Sequence, residues 1–282
     1  MAAVTTERLM EIALEMAGWT DIPPDSAVYW PGSRISHILL GIEVGAAELF
    51  MARQLGFHCV VAHRPAGYTG PVAAVYHQHV TQMEEAGVPS AVAEAAVAGH
   101  TRQLEAAALL ENYDHVPSVA RLLEMPFLSI LSPLEHLGRL ILNSRVDEAQ
   151  AANSSLTVAE LRDAFLSLPE YAAAPVPPRL ALGDWAAPAG RVVVSHGACF
   201  PPTAAIARAY LTHGVDTLVV SGLSGEEIGE LTTEEGSLSG SVLTLGASAT
   251  ASLGLNPYIA RLRADGLEVA AFAGIISSVQ LA

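Results

Sequence analysis

The chain has 282 residues, a formal net charge of −15 and no lysine, so arginine supplies every strong cation. A Walker-A phosphate loop, a pyridoxal-phosphate Schiff base, a lysine-dependent aldolase and an S-x-x-K acylating serine all need lysine and are excluded. The acidic surplus, without any basic cluster, also excludes a nucleic-acid partner, because such proteins meet phosphates with grouped cations.

Short apolar runs alternate with longer helical patterns, which predicts an α/β protein with a mostly parallel sheet. Residues 1–18 carry charges inside a helical period and read as a helix, not a signal peptide. HILLGIE (37–43) reads as a strand, 46–55 as a helix closed by Gly56, and FHCVVA (57–62) as the next strand. Thr69 and Pro71 open a helix running to Glu85, Ser90 caps an alanine-rich helix to about Leu110, and Asp114 with Pro117 starts another to Glu124. FLSIL (127–131) is a strand, followed by a helix over 133–143. Thr157 and Glu160 form a capping box for a helix over 157–168, and the proline-rich stretch 169–190 reads as a linker.

The strand–helix–glycine–strand unit then recurs as 191–195, 203–213, Gly214 and 216–220. A second capping box (Ser224 with Glu227), a strand over 241–245, a helix around 257–264 and a last strand over 267–272 complete the chain. The uncharged segment 236–260 is rich in Ser, Thr and Gly and contains Pro257, so it reads as buried strand and loop; no membrane span is expected. These elements divide into an N-terminal α/β half (1–145), a helix with a proline-rich linker (146–190) and a C-terminal α/β half (191–282).

Ligands of open α/β sheets bind beyond the carboxyl ends of the strands. That rule singles out His63 with Arg64, the run 132–136 with Glu135 and His136, 195–197 with His196, 221–222, 246–248 with Ser248, and 273–274. His77 and His79 lie in a helical stretch where positions i and i+2 diverge, so they read as surface or interface histidines more readily than as a metal pair. His58 and His196 read as core histidines, and the acidic run from Glu226 to Glu235 as a solvated helix face. Cys59 and Cys199 make no disulfide framework, which fits a cytoplasmic location. Residue chemistry alone reaches an α/β protein with a cleft at His63 and no reaction.

Several ordered segments carry a family likeness. ILLGIE, a helix and VVAHRPAG (60–67), then QMEEAGVPSAVAE (82–94), ARLLEMPFLSI (120–130) and LGASATASLGLN (245–256) together resemble the NGG-interacting-factor-three (Nif-three-like) superfamily, also known as type 2 GTP cyclohydrolase I. The resemblance spans about residues 38–274. It implies two similar interlocked α/β halves with mixed, mostly parallel sheets flanked by helices, a homo-oligomer (dimer or hexamer), and a two-metal site. The metal motifs are degenerate here. His63 matches the first histidine of the family's His-His-Pro, but Arg64 takes the second; Glu135 stands at an acidic position; Ala247 and Ala251 replace a histidine and an acid. Two family-matched ligands, His63 and Glu135, remain where about five are expected.

The expectation is therefore a cytoplasmic oligomer of unknown biochemical role with no cofactor, or at most a weakly bound divalent metal (Zn, Mn or Fe). Arg64 is expected to fill the vacated charge position and pair with Glu135; the alternative places it at a subunit interface. A second reading is a metal-dependent hydrolase of a nucleotide or other phosphoester. There His63 and Glu135, with His136, Glu226 or His196, hold one metal and Arg64 grips the anion. A third is a binder of a small anionic ligand that uses Arg64 and the glycine-rich turns.

Overall fold

Runs such as CVVA and TLVV are apolar on both faces, and a parallel strand covered by helices on each side is the arrangement that buries both. The computed structural model describes residues 3–195, 197, 200–233 and 238–276. In chain order its elements are α1 (Thr6–Ala17), β1 (Ala27–Trp30), β2 (His37–Gly41), α2 (Ala46–Gln54), β3 (Cys59–Ala62), α3 (Thr69–Val75), α4 (Gln78–Glu85), α5 (Ser90–Ala108), α6 (His115–Leu123) and β4 (Phe127–Ser129). There follow α7 (Ser132–Ala152), α8 (Val158–Leu166), α9 (Pro169–Ala172), β5 (Arg179–Leu182), β6 (Val192–Val194), α10 (Ala204–Thr212), β7 (Thr217–Val220), α11 (Gly225–Thr233), β8 (Ser241–Thr244), α12 (Ala247–Ala264) and β9 (Glu268–Phe272).

The chain forms two compact units, each drawn from separate segments. The first holds the residues up to Val75, Leu104–Leu137 and those from Ala251 onward. Its five-stranded sheet has the order β1-β4-β3-β2-β9, parallel except for the antiparallel edge strand β1. Leu39, Val60 and Phe127 on the sheet meet Leu49 and Ala52 of α2 and Ala120 of α6 in one buried cluster. At the edge of this sheet Phe272 of β9 lies across Gly41 of β2, where a Cβ would come within 2.4 Å of its ring, so a larger residue there would have to displace that ring.

The second unit holds Tyr76–Gln103 and Gly138–Thr250. Its four-stranded sheet has the order β5-β8-β7-β6, again parallel with one antiparallel edge strand, β5. Ile206, Ala207 and Tyr210 of α10 are fully buried in this unit, as are Leu218 and Val219 of β7. Mixed, mostly parallel sheets flanked by helices thus occur twice, as the repeated strand–helix–glycine–strand pattern predicts. No described helix is long and apolar enough to cross a membrane.

Four expectations need correction. The C-terminal segment does not stay with the second half: β9 pairs with β2 from His37↔Glu268 to Gly41↔Phe272, in the first sheet. The helix expected over 69–85 is two helices, α3 and α4, separated at residues 76–77. The stretch 146–190 contains the end of α7, then α8, α9 and β5; an edge strand tolerates nearby prolines because one of its sides needs no ladder partner. Finally, α12 begins at Ala247 and continues through Pro257, where strand and loop were expected. Its Ala249, Ala251, Leu253, Leu255, Tyr258 and Leu262 are buried, and that packing outweighs weak local propensity.

Phe127 is 1 % exposed and stacks on Tyr29 with ring centroids 5.0 Å apart. Phe127→Ala should lower unfolding stability by about 3–5 kcal/mol. Phe50→Ala, at a side chain exposed on α2, should change it by less than about 0.5 kcal/mol. Guanidinium unfolding midpoints at constant slope check both values.

Candidate functional site

Strand ends of the first sheet carry the family-matched residues. The ladder runs on past β2 and β3, with His63 N–H donating to Gly41 O at 2.8 Å and Arg64 N–H to Ile42 O at 2.9 Å. On the other side Ile130 N–H donates to Ala62 O at 3.0 Å. His63 is thereby fixed between two neighbouring strands, and its ring turns inward. Nδ1 lies 3.1 Å from Ile130 O and Nε2 lies 2.7 Å from Glu135 Oε1. Both side chains are buried, at 0 % and 2 % exposure.

A carbonyl oxygen only accepts, so Nδ1 carries a hydrogen. One further proton then lies between Nε2 and Oε1, and whichever atom holds it the pair is neutral overall. Glu135 sits in the first turn of α7, where a carboxylate faces the positive end of the helix. The turn is held from outside by Asp25 and Ser26. Leu131 N–H donates to Ser26 Oγ at 3.0 Å, Ser132 N–H to Asp25 Oδ1 at 3.4 Å, and the Ser132 hydroxyl to Asp25 Oδ2. Burial holds the Asp25 carboxyl above the usual range; the Ser132 and Ser26 donors oppose this, and the nearby Glu135 charge adds to it.

Arg64 does not meet the expected carboxylate. Its Nη1 donates to Glu43 Oε1 at 2.7 Å, between partly exposed and exposed side chains, and its guanidinium lies 5.3 Å from the Tyr68 ring centre. Glu43 follows β2 and Arg64 follows β3, so adjacent strand ends bring this pair together. The expected Arg64–Glu135 pair is replaced by two others, His63–Glu135 and Arg64–Glu43. His136 packs on Trp19, ring centres 5.3 Å apart. Glu226 and Ser248 are exposed in the first turns of α11 and α12, in the second unit. His196 and Cys199 lie outside the described residues.

The donor set does not fit the dinuclear metal that the family resemblance implies. A nitrogen and an oxygen bound to one tetrahedral zinc stand about 3.4 Å apart; at 2.7 Å a proton, not a cation, joins His63 to Glu135. Among the described residues no group of three His, Cys, Asp or Glu side chains converges on a point. The residues that sequence reasoning missed are Asp25, Ser26 and Glu43. Asp25 and Ser26 are neighbours in a loop, and Glu43 ends the segment read as a strand; none has a spacing that marks it.

Among the described residues His79 is the other buried histidine, and it does not lie at the surface. Its Nε2 donates to Phe200 O at 3.0 Å, and Nδ1 is buried without a hydrogen-bond partner. Burial pushes its pKa down to about 4, with the positive charges of His100 and Arg139 adding and the Phe200 carbonyl opposing. His58, expected in the core, is exposed and accepts Ser36 N–H on Nδ1.

Glu135→Gln keeps a donor for Nε2 and should cost less than about 1.5 kcal/mol, whereas Glu135→Leu strips the buried imidazole of this partner and should cost about 2–4 kcal/mol. Denaturant unfolding of the two variants at one pH checks the contrast. For His79 the folded pKa lies below the ordinary 6.5, so the unfolded chain binds the proton first on acidification. Stability should therefore fall as pH drops from about 6.5 to about 4, at roughly 1.4 kcal/mol per pH unit. His79→Gln, which still donates to Phe200 O, should flatten that part of a stability-versus-pH curve.

Neither a protein-family model nor a curated protein sequence matches the chain. Solved structures do. A NIF3 superfamily protein from Sphaerobacter thermophilus is 39 % identical with a TM-score of 0.92, covering 97 % of this chain and 100 % of its own. HcgD from Methanocaldococcus jannaschii is 9 % identical with a TM-score of 0.56, over 96 % of this chain and 98 % of its own. A Bacillus cereus protein related to NIF3 is 8 % identical with a TM-score of 0.51, over 95 % and 96 %. The last two share the fold alone; with the first, the likeness runs through sequence and fold together, and the chain belongs to the NIF3 superfamily.

Proposed function

We propose that this chain is a binding or structural member of its superfamily, working in the cytoplasm as a homo-oligomer whose dimetal position is closed by a proton-sharing pair. The observation that carries the reading is the 2.7 Å bond between His63 Nε2 and Glu135 Oε1, inside a fully buried pocket of side chains. The imidazole nitrogen that a metal would need is already used. Loading a cation there means breaking the bond, expelling its proton and bringing in further ligands, and each step opposes binding. The hydrolase reading requires the same opening before any water could be activated.

An oligomer is supported by large apolar side chains left in water. Leu109, Leu110 and Leu122 are 85–90 % exposed, and Phe50 and Leu55 are more than half exposed. Large apolar side chains this exposed are candidates for a contact between copies of the chain. Arg64, paired with Glu43 at the surface, offers its guanidinium to an anion only in competition with that carboxylate.

Metal analysis of protein purified without chelator or metal-affinity tag tests the proposal. Zn, Mn and Fe should each fall well below one per chain, and His63→Ala should leave the content unchanged. Near-stoichiometric metal that is lost on His63→Ala would overturn the reading and favour the hydrolase.

A further inference from the structure

The first unit contains a cavity of about 530 Å³ that neither His63 nor Glu135 lines. We propose that it binds a flat aromatic molecule that is cationic or rich in N–H donors. This goes beyond the binding reading above and does not depend on whether His63 and Glu135 hold a metal.

The volume falls within the range of small-molecule sites, and the sequence creates it by omission. Ala27, Ala66, Gly67, Gly70 and Ala108 all stand on its wall. A Cβ on Gly70 would already lie 3.6 Å from that of Ala108, so larger residues at these positions would consume the space. Gly67, at φ +64°, lets the segment after His63 press on Tyr113, where a Cβ would come within 2.5 Å.

Two aromatic rings line the cavity. The Tyr29 hydroxyl accepts Ala66 N–H at 2.8 Å and lies 3.0 Å from Ser129 Oγ, which fixes the orientation of its ring. Tyr113 is 72 % exposed and still has most of its surface to offer. Rings of this kind stack on flat π-systems and attract cations to their faces.

The charged groups select the sign. Glu111 Oε2 accepts both the N–H and the hydroxyl of Thr69, so the carboxylate is held in place. Asp114 and Arg121 offset each other through two hydrogen bonds, at 2.9 and 2.7 Å. The lining therefore has one more carboxylate than guanidinium, which favours cations and donors and opposes anions.

Ligand-detected NMR titration of the full chain with benzamidine and with its anionic counterpart benzoate tests the proposal. Benzamidine should bind, and benzoate at least roughly tenfold more weakly. Gly70→Leu, which places bulk in the cavity and improves helix propensity, should abolish benzamidine binding. Glu111→Gln, whose amide oxygen still accepts from Thr69, should weaken it by about tenfold. Thermal melting confirms that each variant folds, and Ala108→Leu takes the place of Gly70→Leu if that variant does not. Equal affinity for the two probes, no benzamidine binding to the unaltered chain, or unchanged binding in the filled variant would each overturn the assignment. Treatment with EDTA should make no difference; binding that vanishes with the metal would also overturn it, and would separately contradict the metal-free reading.

Discussion

The amino terminus of α7 concentrates the polar groups that the first unit has to bury. Asp25, Ser132, Glu135 and His63 are all within 5 % of full burial, and an isolated charge at such depth would cost several kcal/mol. The solution is a chain of reciprocal partners. Ile130 O takes the Nδ1 hydrogen of His63, Glu135 shares a proton with Nε2, and Asp25 and Ser26 take the free N–H groups that begin the helix. The strands that enter this chain are held in register by backbone bonds extending past their formal ends. Sheet, helix start and buried pair therefore depend on one another, and a change at any one of them leaves a polar group stranded.

The same arrangement separates what superfamily membership says from what it leaves open. Fold and membership are secured by the full-length likeness to the Sphaerobacter thermophilus protein. Activity depends on side chains at a few positions, and one fold hosts many chemistries. At positions that the resemblance assigns to metal ligands, this chain has Arg64 turned to Glu43, and Ala247 and Ala251 within α12. Arg64 is not a partner for Glu135; its positive charge lies in a surface pair between two strand ends.

Much of the fold was legible because its signals are local. Apolar runs gave β2, β3, β7 and β9, and the Thr157–Glu160 box placed the start of α8, where the reciprocal bonds are present. β1 and β5 escaped because each is an edge strand that exists through an antiparallel partner brought from far along the chain. The first half of α12 escaped because its Ser, Thr and Gly residues and the following Pro257 have little helical preference of their own and are helical through burial. His63 and Glu135 were visible as positions, but their union was not: it depends on β3 and β4 lying side by side. The Arg64–Glu43 pair was hidden for the same reason, since only the β2–β3 register sets those two residues at adjacent ends.

The pairing of β9 with β2 also orders the birth of the protein. β2 ends at Gly41, yet one of its two neighbours, β9, does not begin until Glu268. Until Glu268–Phe272 emerges, the buried residues of β2 have an open flank, and Gly41 lacks the ring that covers it. Contacts so distant in sequence are slow to form, and an unpaired strand edge is a site for wrong association. The nascent chain therefore carries that edge until residues 268–272 are made, an exposure that the finished fold no longer shows.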